Sequence, residues 1–430
     1  MTSFVRRAVT LASVALLLFS GTARPVAGQT VPPGQPNLIP YVVLGPEGQP
    51  IARAITTAGT CPTASFAGIA VPMAVRAVPS AAFPVLACEL AIPPSVFAVS
   101  IEGRQLPLPT SRPQRIAVLG DTGCRIRGSF VQACNDPEQW PLERVARGIA
   151  DYRPDLIIHV GDWYYREMPC PTTFTGCAGS PSGDNWETWS AEWFGAAYPA
   201  FLAAPWVMIR GDHEVCERGP EGWFRFLDPW PYQERCQSIT EPYRLPFEGL
   251  NLVVVDSAIA DDQRADPAQV ALFRGQLERA LALAGDSAWL VTHRPLYGLG
   301  FFDVPPNAPA SNLTLAAAAP ERWPASVQLI LSGHIHLWEA VGFAMSATGR
   351  PSQWVVGHGG TLLDPSFTIS FDGLRIAGEL TSPASRYVTD QFGFMTFEPA
   401  GSGRWTAVAR DRNGYPMVRC EVAGQQVACS

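Results

Sequence analysis

The stretch that decides the fold is Leu156-Ile157-Ile158-His159-Val160-Gly161-Asp162-Trp163-Tyr164-Tyr165. Its apolar half is bounded by a proline and a glycine, which predicts a short buried strand. Asp162 stands where that strand gives way to a loop, and open α/β sheets bind their ligands at such positions. Asp162 and Tyr165 both offer hard oxygen ligands, which suit bivalent or trivalent metal ions. A Gly-Asp pair at a strand end is usually only a turn, so the metal-binding interpretation depends on the rest of the sequence.

Four more apolar segments end in side chains of the same kind. Those side chains are Asp121, Asp212 with His213, His293, and His334 with His336. The sequence contains only six histidines, and four of them follow predicted strand ends. Histidines with purely structural roles would be scattered along the chain. The pattern therefore predicts strand ends that carry metal-ligating groups.

Length and composition predict a folded chain of two or three domains, since 47% of the 430 residues are apolar and 16% are charged. Residues 29–112 have short apolar runs cut by Pro and Gly and no histidine, which predicts a small β-rich N-terminal domain. Residues 113–400 carry the five strand ends, and residues 401–430 predict a C-terminal β appendage. Helices are predicted for three segments: 141–152, 185–202 and 267–284.

Residues 1–28 predict a signal peptide. Arg6 and Arg7 precede an apolar run from Ala8 to Phe19, and small residues follow it. The run is too short to span a bilayer comfortably, although a retained N-terminal anchor is the alternative. We therefore expect a secreted or periplasmic protein with no transmembrane segment in the mature chain.

The charge of the chain excludes several classes of partner and chemistry. The net charge is -7, and loss of the three arginines in residues 1–28 makes it -10. A nucleic-acid groove would instead be basic. The sequence contains no lysine, which excludes Schiff-base catalysis and lysine-dependent phosphate loops.

The ten cysteines predict disulfides, because an exported chain with an even number of them favours pairing. Sequence alone does not give connectivity, and zinc-site spacing is absent. The cysteines nevertheless fall into neighbouring couples, and we predict that these couples are the disulfides: Cys61 with Cys88, Cys124 with Cys134, Cys170 with Cys177, Cys216 with Cys236, and Cys420 with Cys429.

The five strand ends resemble the motif blocks of calcineurin-type metallophosphoesterases, specifically the purple-acid-phosphatase-like branch. That branch carries Asp-x-Gly, Gly-Asp-x-x-Tyr, Gly-Asn-His-Glu, a lone strand-end His and Gly-His-x-His. The same order is found here at Asp121, Asp162, Asp212, His293 and His334. Each block alone is weak evidence, but five in order are strong. Over residues 115–360 the resemblance implies an α/β fold, a four-layer α/β/β/α metallophosphoesterase sandwich behind the small N-terminal β domain.

The resemblance also implies two metal ions with Asp162 bridging them. The first ion would be held by Asp121, Asp162, Tyr165 and His336, and the second by Asp162, Asp212, His293 and His334. Other branches have a histidine where this chain has Gly123, and Tyr165 stands in for it. A phenolate favours Fe(III), with Fe(II), Zn or Mn at the other position. In the alternative, Tyr164 points inward and Tyr165 is a core or loop aromatic.

The implied reaction is hydrolysis of a phosphate ester of a small molecule by metal-bound hydroxide, most simply of a monoester, as in acid phosphatases. His213 would neutralise developing charge or protonate the leaving oxygen, and a structural histidine is the alternative. Two other functions stay open. One is a phosphodiesterase of the same fold, which an open groove would favour. The other is a non-catalytic exported binding protein with a vestigial metal site.

Substrate contacts and one departure from the family complete the expectations. Arg125 and His358 are candidate substrate-binding residues, and Arg127 lies beside Arg125 in the sequence. The alternative for the two arginines is a solvated loop, and the alternative for His358 is a structural position in the scaffold. Asp212 stands where the family usually has Asn. The additional negative charge predicts a tightly held second ion and a less acidic pH optimum than the family name suggests.

Overall fold

The structure is a computed structural model that describes residues 37–300, 307–344 and 347–430. The predicted signal peptide, residues 1–28, lies outside the described residues. Within the described part of the chain, no helix has the length and apolar character needed to pass through a membrane.

Two large sheets form the centre of the molecule. The first has eleven strands, in spatial order Gln426–Cys429, Pro416–Ala423, Arg404–Asp411, Gly393–Gly401, Ile116–Leu119, Leu156–His159, Trp206–Met208, Leu38–Leu44, Pro50–Thr56, Leu86–Ala91 and Ala74–Ala77. The second has seven, in spatial order Tyr243–Phe247, Leu250–Val254, Ala288–Val291, Val327–Ser332, Ser352–Val356, Trp338–Val341 and Arg386–Val388. In each sheet four neighbouring strands are parallel, so their carboxyl ends lie at one edge.

The side chains of the central strands alternate between two cores, as the pleat of a strand requires. Ile116 and Val118 lie in the core shared with the second sheet. Ala117 and Leu119 face the opposite side and pack with the helix Leu142–Tyr152. The outer face of the second sheet packs against helices of its own. The architecture is therefore the predicted four-layer α/β/β/α sandwich.

The helices are few and mostly short. The α-helices are Leu142–Tyr152, Trp186–Trp189, Pro220–Gly222, Pro267–Ala282 and Leu313–Ala318. The 3-10 helices are Pro46–Gly48, Thr175–Cys177, Tyr198–Ala200 and Asp212–Glu214, and the π-helical turns are Ser190–Phe194 and Trp223–Leu227. The longest helix begins where the Asp266 side chain accepts the N–H groups of Ala268 and Gln269, at 3.0 and 3.1 Å.

The prediction of one continuous helix over 185–202 is wrong. An α-helical turn passes into the π-helical turn, and a separate 3-10 turn follows. Gly195 and Pro199 stand after the π-helical turn, and both residue types disfavour a continuing α-helix.

Both terminal segments extend the first sheet. Leu38–Leu44 pairs in parallel with Trp206–Met208, and Gly393–Gly401 pairs antiparallel with Ile116–Leu119. The N-terminal segment also forms a small sheet of its own, with strands Ile69–Pro72, Thr63–Phe66, Val99–Ile101 and Arg104–Gln105. Whether either segment is a separate domain stays a prediction.

Two further small sheets and five disulfides complete the fold. The sheets are Ile126–Arg127 with Phe130–Val131, and Asn307–Ala308 with Arg375–Ile376 and Glu379–Leu380. The disulfides join Cys61 to Cys88, Cys124 to Cys134, Cys170 to Cys177, Cys216 to Cys236 and Cys420 to Cys429. The predicted pairing of neighbours is confirmed.

Candidate metal centre

The carboxyl ends of the parallel strands meet at one edge of the sandwich and bring the predicted site residues together. The loops that follow the strands are joined to one another by backbone hydrogen bonds. Asp121 N–H donates to the carbonyl of Gly161 at 2.9 Å, and Gly333 N–H donates to the carbonyl of His293 at 2.9 Å. Between the sheets, Gly359 N–H donates to the carbonyl of Gly120 at 3.0 Å, so the ends of both sheets contribute to one site.

A first cluster contains Asp121, Asp162 and His336, whose candidate ligand atoms lie within 4.8 Å of one another. The phenol of Tyr165 lies among them. Its oxygen is 3.1 Å from Asp121 Oδ1, 2.7 Å from Asp162 Oδ2 and 3.0 Å from His336 Nε2. Tyr164 instead packs on Trp189, with ring centroids 6.1 Å apart. Tyr165, and not Tyr164, therefore points into the cluster.

A second cluster contains Asp162, Asp212, His293 and His334, whose candidate ligand atoms also lie within 4.8 Å of one another. His293 Nε2 is 3.2 Å from Asp162 Oδ1 and 3.2 Å from Asp212 Oδ1. His334 Nδ1 is 2.9 Å from Asp212 Oδ1. Asp162 belongs to both clusters, and each of its two oxygens faces a different one.

Three of these residues have backbone conformations that residues other than glycine rarely adopt. The φ angles of Asp121, Asp162 and His334 are 54°, 60° and 72°. Left-handed backbone at non-glycine residues costs on the order of 1–3 kcal/mol each and persists where the surroundings enforce it. The sharp turns point the side chains back over the strand ends.

Neighbouring glycines leave room for those carboxylates. A Cβ atom at Gly211 would lie 2.0 Å from Asp162 Oδ1, and one at Gly333 would lie 2.4 Å from Asp121 Oδ2. Any side chain at either glycine would displace a carboxylate. The glycines of the motif blocks therefore shape the site in addition to making turns.

Each histidine of the two clusters has its outward nitrogen occupied. His293 Nδ1 lies 2.8 Å from the carbonyl oxygen of Val160, and His336 Nδ1 lies 2.9 Å from that of Leu362. Carbonyls only accept, so both rings donate from Nδ1 and turn Nε2 towards the clusters. His334 Nε2 lies 3.0 Å from Asp262 Oδ2. Histidine ligands of metals are typically oriented by such outer partners.

The electrostatics of the two clusters favour the binding of cations. Burial raises the pKa of Asp121, and Asp162 beside it raises that pKa further. Burial also raises the pKa of the Tyr165 phenol, with the two carboxylates adding to the effect. Burial lowers the pKa of His293, but Asp162 reverses this and raises it well above the usual value. Crowded anions retain protons that bound cations would replace.

The two neighbouring histidines of the last block differ in protonation. Burial lowers the pKa of His334, but Asp262 and Asp212 overcome this and raise it to about 9. Burial and the nearby Arg125 lower the pKa of His336 to about 3. The first cluster therefore has a neutral histidine at neutral pH, whereas His334 must lose a proton before it can bind a metal.

His213 lies at the edge of both clusters. Its Nδ1 is 2.9 Å from Glu167 Oε1, and its Nε2 is 3.7 Å from Asp162 Oδ2. Arg218 Nη2 lies 2.8 Å from the same Nε2. Because a guanidinium can only donate, Nε2 accepts from Arg218, which leaves Nδ1, beside Glu167, as the ring nitrogen that carries a proton.

The candidate substrate-binding residues have different surroundings. Arg125 and Arg127 line a cavity of about 290 Å³ together with members of both clusters. Arg125 Nη1 lies 3.5 Å from His336 Nδ1, whereas Arg127 is exposed. His358 is fully buried, and its ring nitrogens have no partner among the described residues. Its position gives no support to a substrate contact.

Sequence reasoning missed two buried carboxylates that hold the loop after the bridging aspartate. Glu214 Oε1 accepts the N–H groups of Trp163 and Tyr164, at 2.9 and 3.1 Å. Glu192 Oε1 accepts the N–H of Tyr165 at 2.9 Å. Glu214 closes the third motif block and could have been found there. Nothing near Glu192 in the sequence marks it.

Comparisons with known proteins agree with this geometry. Residues 114–337 match the family model of the calcineurin-like phosphoesterases. The chain is similar to the purple acid phosphatase PPD1 from seeds of yellow lupin (Lupinus luteus), with 14% identity, a TM-score of 0.55, and coverage of 91% of this chain and 73% of that one. It is also similar to PhoD, with 11% identity, a TM-score of 0.57 and coverage of 91% of each chain. At these identities the likeness concerns the fold, and no curated protein matches the sequence. Because the family model matches more than half of the residues, the chain belongs to the calcineurin-like phosphoesterases.

Proposed function

We propose that this chain is an exported binuclear metallophosphoesterase that hydrolyses phosphate monoesters. The observation that carries the proposal is the bridging position of Asp162, whose Oδ2 faces Tyr165 and whose Oδ1 faces His293. One carboxylate shared by two ligand clusters is the arrangement that a pair of closely spaced ions requires. The signal-like residues 1–28 and the five disulfides support export.

The ligands divide between the two ions as follows. The first ion would be held by Asp121, Asp162, Tyr165 and His336, and the second by Asp162, Asp212, His293 and His334. The phenolate of Tyr165 favours Fe(III) at the first position, with Fe(II), Zn or Mn at the second. When bound, the ions supply Lewis acidity and activate water near neutral pH.

His213 and Arg218 stabilise charge on the phosphoryl group. His213 faces the clusters with Nε2, and Glu167 holds its other nitrogen. Because Nε2 accepts from Arg218 in this structure, the guanidinium is the stronger source of positive charge beside it. Protonation of the leaving oxygen by His213 would require Arg218 to move away from that nitrogen.

Arg125 orients the non-bridging oxygens of the substrate. It lines the same cavity as both clusters and projects from the hairpin closed by Cys124 and Cys134. A guanidinium matches the geometry of a phosphate group, and a short closed loop holds it at little entropic cost.

A phosphodiesterase is the second candidate, and a second cavity favours it. This cavity of about 600 Å³ shares Asp212, Asp262 and Gln263 with the first. Two cavities that meet at Asp212, a member of the second cluster, leave room for two substituents on a phosphorus atom beside it. A monoester needs only one of them.

The decisive experiment compares metal-loaded wild-type protein with Asp162→Asn on p-nitrophenyl phosphate and bis(p-nitrophenyl) phosphate. We expect about two ions per chain in the wild type, a higher kcat/KM for the monoester, and loss of both ions and activity in the variant. Asp151→Asn, at an exposed helix position, is the control. A higher kcat/KM for the diester would select the second candidate. Bound ions without turnover of either substrate would select the non-catalytic binding protein.

A further inference from the structure

Glu192 is a fully buried acid that belongs to neither ligand cluster. It lies on the π-helical turn Ser190–Phe194 and is 1% exposed. Its carboxylate accepts the N–H of Tyr165 at 2.9 Å and the N–H of Arg166 at 3.4 Å. A Cβ atom at Gly123 of the neighbouring loop would lie 2.4 Å from its Oε1, and the N–H of Cys124 in that loop faces the carboxyl group. Glu192 therefore lies against two separate strand-end loops.

Those two loops carry Asp121 and Tyr165, and they run side by side. Thr122 N–H donates to the carbonyl of Asp162 at 3.0 Å, and Ile126 N–H donates to the carbonyl of Tyr165 at 3.1 Å. The Tyr165 phenol reaches Asp121 only if the loops keep this alignment. Glu192 contacts both loops, next to Gly123 in one and at Tyr165 and Arg166 in the other.

Gly123 makes the contact between Glu192 and Tyr165 possible. A Cβ atom at position 123 would lie 2.4 Å from Glu192 Oε1 and 2.8 Å from Tyr165 Cδ2. A side chain at 123 and the observed position of Glu192 are therefore incompatible. The glycine, the tyrosine and the buried acid form one interdependent unit.

We propose that Glu192 is a positioning residue that sets the Tyr165 phenol at the first metal position. The proposal rests on the proposed function, because it assigns Tyr165 to an ion. Glu192 has no contact with substrate and acts through the backbone of the tyrosine. A glutamine in its place has one acceptor oxygen instead of two, and its amide N–H₂ would face backbone N–H groups that need an acceptor.

The test is a double-mutant cycle read by metal affinity and not by activity. Metal-stripped wild type, Glu192→Gln, Tyr165→Phe and the double variant are titrated with Zn(II) against a chromogenic chelator. Altered outer partners of metal ligands typically change affinity about 10–100-fold. We expect Glu192→Gln to weaken the binding of one of the two ions by that factor. It should have no further effect on metal affinity when Tyr165→Phe has already removed the phenol.

The control is Glu89→Gln, which removes a carboxylate paired with Arg76 in the N-terminal part of the first sheet. It should leave both dissociation constants unchanged. Unchanged affinity in Glu192→Gln overturns the proposal, and so does an equal loss in the wild-type and Tyr165→Phe backgrounds. If Glu192→Gln does not fold, Glu192→Asp, which withdraws the acceptor oxygens by one methylene, replaces it in the cycle with the same expected and contrary results.

Failure of this inference is distinguishable from failure of the proposed function. An active, metal-loaded wild type with an additive cycle would refute only the role of Glu192. A wild type that binds two ions but hydrolyses no ester would refute the function and leave the cycle interpretable.

Discussion

Asp212→Asn is the substitution whose effect follows most directly from the geometry. The two oxygens of Asp212 face opposite ways. Oδ1 faces His293 and His334, whereas Oδ2 lies 2.6 Å from Arg218 Nη1 and 3.4 Å from Arg294 Nη2. An asparagine with its oxygen towards the histidines presents its N–H₂ group to two guanidinium groups, which are also donors. The reverse orientation presents N–H₂ to the metal position.

The size of the effect is bounded by the lost charge. For each unit of charge on an ion about 4 Å away, a carboxylate contributes about 4 kcal/mol at an effective dielectric constant of 20. The amide oxygen remains a ligand, and Arg218 and Arg294 keep Glu167 and Asp262 as partners. We therefore expect a loss of about half of this value, roughly 2 kcal/mol, which corresponds to about 30-fold weaker binding of the second ion.

The assay is chelator competition at fixed pH, with the exposed-site variant Asp151→Asn as control. The pH–rate profile of Asp212→Asn should also shift its acidic limb to lower pH, because the bound water deprotonates more readily once one negative charge beside the ions is lost. An unchanged dissociation constant would refute the electrostatic argument. A tighter second ion would show that Asp212 serves the arginines and not the metal.

Three other predictions concern the same site. Tyr165→Phe should weaken the first ion about 10-fold or more and, if that ion is Fe(III), bleach a visible charge-transfer band; a colourless active protein would refute only the iron assignment. Because His293 and His334 hold protons in the metal-free chain, the affinity for the second ion should rise with pH, by up to about two log units per pH unit, and more slowly above the His334 pKa of about 9. Calorimetry in buffers of different ionisation enthalpy measures the released protons, and a pH-independent affinity would contradict the protonation states. Replacing Cys124 and Cys134 by Ala should lower the free energy of unfolding by about 3 kcal/mol, measured by urea denaturation, and an unchanged midpoint would show that the hairpin needs no cross-link.

The fold could be predicted from the sequence because strand burial and strand-end chemistry coincide. A segment such as Leu156–His159 is apolar almost throughout, since both faces of a central parallel strand are covered. The polar residues that follow must then lie at the sheet edge. Neighbouring cysteine couples were also informative, because the hairpins and loops that they close are local.

The continuity of the terminal segments with the first sheet was not predictable. Leu38–Leu44 joins Trp206–Met208 across a long stretch of intervening sequence, and nothing local specifies that pairing. The broken helix after Asn185 was missed for a related reason. Its aromatic periodicity is satisfied by packing against the first sheet even though the backbone changes between α, π and 3-10 geometry.

The π-helical turn Ser190–Phe194 connects the broken helix after Asn185 to the site. It brings Glu192 against the loops that carry Asp121 and Tyr165. The Glu192 side chain lies so close to residue 123 that only glycine fits there. A tyrosine ligand in this fold therefore depends on more than the tyrosine. A small residue must clear the space beside its ring, and an acceptor must hold its backbone. The tyrosine and the small residue are both visible in the motif blocks of the sequence. The acceptor comes from a segment without a motif, and only the tertiary structure shows that this segment belongs to the site.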